Sequence, residues 1–349
     1  MIFGGLTSEN LNFMELNVLQ KAILATIAYY DVLDCSLTGF EVFKYLINPV
    51  HIAGQIGLGR NLEIEPIGRI SLKDVLDELD GRNLSFYIDQ KNGFYFLKNR
   101  ENLIQIRINR QKLSDEKWKK ARKIINWMQV IPLIKLVAMS GSLAMNNAKE
   151  ESDIDLLIVV KNKRIWTARF LVTLFFQIIG KRRHGSKTKN RFCLNHYITD
   201  QSLKINFPSL YNAQTYAHLV LLLEIEKDLY YKFQQGNSWI DDYLAFYNLQ
   251  KMDNQRKIKI NPLLRFVAKI QELILGTFIG LILEKILEFF QKRHIKIHSL
   301  KNQKGGRITA NNEQLEFHPD SPEGLIIDKY NKSMLRLGFE IQEKDSGLK

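Results

Sequence analysis

Asp153 and Asp155 flank Ile154 at the head of an apolar run that continues Leu156-Leu157-Ile158-Val159-Val160. On a strand, alternate side chains share a face, so the two carboxylates would lie about 6.5 Å apart along the chain. Acids that close can share a hard cation. Mg²⁺ takes oxygen ligands and keeps waters and phosphate oxygens beside one or two carboxylates, which suits a nucleoside triphosphate bridging the site. The rest of the run does not alternate with polar residues, so it reads as a strand buried on both faces with its acidic end at the sheet rim. Ten residues upstream, Gly141-Ser142 closes a second strand-like run, Leu136-Val137-Ala138-Met139-Ser140. A residue without Cβ lets a phosphate approach the backbone, and the serine adds a hydroxyl at a predicted helix start, where free N–H groups favour an anion.

Gly-Ser, a ten-residue gap and Asp-x-Asp between apolar strands resembles the signature of the polymerase β-like nucleotidyltransferase superfamily, over Leu133 to Thr199. The resemblance implies that Gly141 and Ser142 hold the NTP phosphates and that Asp153 and Asp155 are the catalytic, metal-binding acids, with Mg²⁺ or Mn²⁺. It also implies a third carboxylate on the next strand. A helix over 164–179, stopped by Gly180, leads to that strand, Phe192–Thr199, which contains no acid; Asn195 is the positional substitute as third metal ligand, and Asp200 lies just beyond the strand. An amide can accept from water or ligate a metal weakly, but it is no general base. His196 reads as a half-buried histidine satisfied by hydrogen bonds, Cys193 as a small core residue, and His318, before Pro319, as incidental.

The chain has 349 residues, enough for two or three domains, and a net charge of +13 that invites a polyanionic partner. Three basic clusters carry it: Arg107 to Lys123, Lys181 to Arg191, and Lys292 to Arg307. The second is free of acids, and its Lys187 and Lys189 are expected to contact the triphosphate or a nucleic-acid backbone. The two cysteines, Cys35 and Cys193, lie far apart and suggest no disulfide framework; Met1 to Glu9 lacks the parts of a signal peptide, so a cytoplasmic setting is expected. Leu273 to Leu283 is apolar for eleven residues between Glu272 and Glu284. A bilayer span needs roughly 20, so a buried or amphipathic helix is expected and no membrane span.

Helical periodicity over 18–30, a capping box opening a helix at Thr38, and a third helix from Ser71 to Leu79 precede a hairpin around Asn92-Gly93. Three helices and a hairpin resemble a winged-helix domain. The third helix is acidic, which favours protein contact or packing over reading DNA. After the third strand the chain reads as helical, including Ala213 to Phe233, with a hairpin around Asn311-Asn312. The expected fold is α+β: a winged-helix-like domain over 1–100, a nucleotidyltransferase-fold mixed sheet with helices over 101–205, and a helical region with a hairpin over 206–349. The expected activity moves an NMP from an NTP to the hydroxyl of an acceptor that is a small molecule, a protein or a nucleic acid. The alternative is a catalytically degenerate nucleotide-binding sensor or regulator acting through the winged-helix-like module.

Overall fold

In the computed structural model, which describes residues 16–55, 70–185, 187–248, 255–299, 307–318 and 321–347, the two apolar runs flanking Gly141-Ser142 pair side by side at the centre of a sheet. Strand β4 (Ile134–Ser140) lies antiparallel to β5 (Ile154–Val160), with Ser140 opposite Asp155. All residues of β5 but Asp155 are buried, as a non-alternating apolar strand requires. Strand β6 (Phe192–Thr199) runs parallel to β5, and a parallel neighbour needs a crossover: helix α7 (Ile165–Ile178) supplies it. Gly180, at φ +64°, ends that turn as expected.

Among the described residues the sheet has six strands in the order β7-β4-β5-β6-β9-β8. Its outer members come from far along the chain. The Leu219 to Leu223 run, expected within a helix from Ala213 to Phe233, instead splits into α8 (Leu210–Ala217), strand β7 (Val220–Glu224) and α9 (Leu229–Gly236). Consecutive Leu221, Leu222 and Leu223 are buried, and Leu221 and Leu223 pair with β4; a short apolar run fits a doubly covered strand as well as a helix, and the open edge of β4 decides between them. At the other edge the expected Asn311-Asn312 hairpin forms from β8 (Arg307–Ala310) and β9 (Gln314–His318), and β9 pairs antiparallel with β6.

The N-terminal segment contains α1 (Val18–Val32), α2 (Gly39–Lys44), α3 (Pro49–Gln55) and α4 (Leu72–Leu79), with strands β1 (Leu37–Thr38), β2 (Ile88–Lys91) and β3 (Phe94–Leu97) in the order β1-β3-β2. The capping boxes at Thr38 and Ser71 are present. Pro49 opens α3; proline suits a first helical turn because it lacks the N–H that would be orphaned there. The acidic helix α4 uses Glu78 to bind Asn17 and Gln20 at the start of α1. One apolar core joins α1 to the strands and to helices α8, α9 and α12 (Glu323–Arg336).

The long helix α5 (Asn102–Trp127) carries the first basic cluster, and three of its cations are internal ties. Arg107 donates to Glu41 and Cys35, Arg110 to the carbonyls of Leu33 and Asp34, and Lys117 to those of Glu150 and Ser152. Lys112, Lys119, Lys120, Arg122 and Lys123 remain exposed.

The apolar run 273–283 is neither buried nor one helix. It straddles the junction of α10 (Pro262–Leu275) and α11 (Phe278–Ser299), and Leu273, Phe278 and Ile279 are exposed. Its bounding acids hold the helix pair down: Glu284 accepts from the first amides of α7 at Trp166 (3.0 Å) and Thr167 (2.9 Å), and Glu272 from Leu133 (3.0 Å). A carboxylate satisfies the free donors of a helix start and complements its dipole. Among the described residues no helix is long and apolar enough to cross a membrane.

Candidate active site

The chain leaves β4 through Gly141, at φ +67°, directly against the first residues of β5. A Cβ on Gly141 would stand 2.4 Å from Asp155 Oδ2, so only glycine permits this approach. The helix expected after it is a single turn, α6 (Gly141–Ala144), tied by Met145 N to Gly141 O (3.3 Å) and Asn147 N to Ser142 O (2.8 Å). Lys117, 2 % exposed, holds the turn before Asp153 through Glu150 O (2.9 Å) and Ser152 O (2.7 Å). It lies in the interior, and withdrawal from water lowers its pKa against the opposing pull of Asp153. A buried ammonium donating to two carbonyls is the fixed post from which the aspartate turn hangs.

Asp153 and Asp155 come together with Cys193 on β6: their ligand atoms lie within 4.8 Å of one another. The parallel register sets Cys193 beside Asp155, and a bulge between Asp155 and Leu157 resets the pairing so that Leu157 faces His196. Asn195 lines the same cavity two residues beyond Cys193. Burial at the strand end, then the charge of Asp153, push the Asp155 carboxyl up to about 7, with Cys193 and Arg183 acting in the opposite direction. Burial and the two aspartates likewise raise the Cys193 thiol, keeping it protonated and a poor ligand for a hard cation. Two crowded acids, one keeping its proton well above the usual carboxylate range, are what a divalent cation would relieve. The donor set therefore fits Mg²⁺ or Mn²⁺ on two carboxylates, completed by phosphate oxygens and water.

Arg183, from the acid-free cluster, donates from Nη1 to Asp153 Oδ2 at 2.5 Å and lies 3.6 Å from Cys193 Sγ. Of the two cations expected at the triphosphate, Lys189 pairs with Glu150 and Lys187 is exposed; neither lines the cavity. The cations that do are Arg110, Lys149, Arg183, Arg307 and Lys329.

That cavity, of about 560 Å³, is closed by parts of the chain remote from the motif: Tyr29, Leu33 and Asp34 of the N-terminal segment, Tyr211, Thr215 and Tyr216 of α8, and Ile326 of α12. Arg110 and Asn147 fix this wall, each bonding Leu33 O at 3.0 Å.

A second set of donors lies on the same cavity and escaped the sequence reading. His196, Glu316 and His318 have ligand atoms within 4.8 Å of one another. His196 is only 8 % exposed, and among the described residues its Nε2 has no hydrogen-bond partner, contrary to the expected satisfied histidine. No local spacing links His196 to Glu316; only the pairing of β6 with β9 brings them opposite each other.

Residues 118–260 match the family model of the nucleotidyltransferase domain. A search of the curated proteins and a search of the solved structures found no match. The matched stretch contains β4, β5, β6 and β7 and every residue of the Gly-Ser and Asp-x-Asp motifs.

Proposed function

We propose that this nucleotidyltransferase domain binds an NTP across Gly141, Ser142, Asp153 and Asp155 and transfers its NMP to an acceptor hydroxyl. The observation that carries the reading is the contact of Gly141 with the Asp155 carboxylate, which sets a side-chain-free, left-handed backbone beside paired acids. Asp153 and Asp155 would hold Mg²⁺ or Mn²⁺, which when bound supplies neutralisation of the charge on the triphosphate and on the departing pyrophosphate. Gly141 offers its backbone and Ser142 its hydroxyl to the phosphates. Arg183, bound to Asp153, is the cation placed to pass to the triphosphate. The acceptor oxygen attacks the α-phosphorus in line, the bond from that phosphorus to the bridging oxygen breaks, and pyrophosphate leaves as the hydroxyl gives up its proton. Tyr29, Tyr211 and Tyr216 line the cavity beside the acids, and the acceptor would lie against them.

Calorimetry of MgATP and MgCTP binding tests the site: the double variant Asp153→Ala, Asp155→Ala loses binding, and equal binding by both proteins would sink the assignment. One observation favours a second reading, a nucleotide-binding sensor: Cys193, a protonated thiol, stands beside Asp155 where a third carboxylate would complete two-metal chemistry. Pyrophosphate release in the presence of candidate acceptors marks the transferase, and binding without turnover the sensor.

A further inference from the structure

We propose that His196, Glu316 and His318 form a binding site for Zn²⁺ or a similar late first-row divalent cation, on the cavity wall and separate from the aspartate pair. The strand register builds it. His196 on β6 is paired with Glu316 on β9, so their side chains leave the sheet on one face, and His318, two residues beyond Glu316, shares that face. All three donor atoms fall within 4.8 Å of one another, with His318 Nε2 3.7 Å from Glu316 Oε1. The independent sign of a missing partner is His196. Its ring is more than nine-tenths buried and its Nε2 is unbonded among the described residues, although buried polar atoms are as a rule paired with protein, water or an ion.

The chemistry of the three groups agrees. A neutral imidazole offers a ring-nitrogen lone pair to a metal, and His196 and His318 each bring one beside Glu316. Glu316 is 1 % exposed, and its carboxylate is paired with Arg307. Arg307 Nη2 donates to Glu316 Oε1 at 2.5 Å, the kind of outer hydrogen bond that orients a ligating carboxylate. Two imidazoles with one carboxylate select Zn²⁺ and its neighbours over Mg²⁺, which prefers oxygen alone. All three residues line the cavity, so a fourth position would open onto it, as in three-ligand zinc sites that hold water or substrate.

The test uses the untagged full chain, stripped with chelator and titrated with Zn²⁺ against a chromophoric competitor in millimolar Mg²⁺, which keeps the aspartate pair occupied. One equivalent should bind. His318→Ala, at a half-exposed position that the fold tolerates, should raise Kd about a hundredfold or more. Asp153→Ala with Asp155→Ala should leave Zn²⁺ affinity unchanged. Co²⁺ in place of Zn²⁺ should give visible bands without the near-ultraviolet thiolate band that ligation by Cys193 would produce, and Glu316→Gln, checked for folding by circular dichroism, should abolish them. Zn²⁺ affinity unaltered by His318→Ala, lost in the aspartate variant, or accompanied by the thiolate band would each overturn the site, as would failure to bind Zn²⁺ at all.

Discussion

The two donor clusters of the cavity are built in opposite ways. Asp153 and Asp155 share one strand end, two residues apart, with Gly141 delivered to them by the hairpin-like return from β4 to β5. His196 and Glu316 are 120 positions apart and meet only because β9 adds to the edge of β6. The first cluster is legible as a string of residues, and the second is not. A site whose ligands lie within one local turn leaves a spacing in the sequence, whereas a site made by strand register leaves none, since register depends on every element that decides which edge is paired.

The sharpest break between the two regions is Gly141→Ala. The new Cβ would meet Asp155 Oδ2 at 2.4 Å on a backbone at φ +67°, two separate penalties. A left-handed, non-glycine residue costs about 1–3 kcal/mol, and moving Asp155 to relieve the clash removes the acid from the phosphate. Urea denaturation should show that loss, and NTP affinity should fall at least about tenfold, 1.4 kcal/mol. Zn²⁺ binding at the histidines should be untouched. If the glycine variant bound NTP as the parent does, the close approach would have no part in the site.

Lys117→Met separates position from charge at the aspartates. The carbonyls of Glu150 and Ser152 lose their buried donor, and a hydrogen bond from a charged group contributes about 1.5–3 kcal/mol. The fold should be destabilised by roughly 2 kcal/mol in urea. NTP binding should weaken as the turn before Asp153 loosens, while the exposed Lys119→Met in the same helix changes neither.

How much of this was open to sequence reasoning depends on the range of the interaction. The Gly-Ser turn, the acid pair, the crossover helix and its Gly180 stop are set by neighbours, and all appear where expected. Leu221 to Leu223 was read as helix because periodicity is silent over so short a run, and the unpaired edge of β4 settled it. Position along β6 was equally hidden. Counting from the strand suggests Asn195, which lines the cavity, while the register before a bulge also sets Cys193 beside Asp155. Arg107, Arg110 and Lys117 count in sequence only as part of the first basic cluster, yet their partners lie in segments that the chain brings near only on folding.

Cys193→Asp and Asn195→Asp together decide which position on β6 completes the acidic cluster. With a carboxylate at 193, beside Asp155, Mn²⁺ affinity should rise about tenfold, equivalent to 1.4 kcal/mol, and apoprotein stability should fall because a third like charge crowds the pair. The same change at 195 should raise Mn²⁺ affinity less. A larger gain at 195 would return the third position to Asn195.

The effect that sets the clusters most directly against each other is their opposite dependence on pH. Asp155 is raised from 3.8 to about 7, so between those values the folded protein keeps a proton that the unfolded chain has released. Stability from this group is therefore greatest at the acidic end and is lost as pH rises through the window. His196 is lowered from 6.5 to about 4, so the unfolded chain takes the proton first and stability is lost as pH falls below 6.5. His218, pushed down by burial to about 3, acts in the same sense as His196. Each group contributes at most about 1.4 kcal/mol per pH unit, and between pH 4 and 6.5 the slopes of Asp155 and His196 oppose each other. Asp155→Asn should leave the histidine slope exposed, so that stability climbs more steeply with pH across that interval. Mg²⁺ with NTP, by favouring the ionised acid, should have a similar effect on the parent protein. A variant with the same pH profile as its parent would show that Asp155 does not keep its proton in the folded chain.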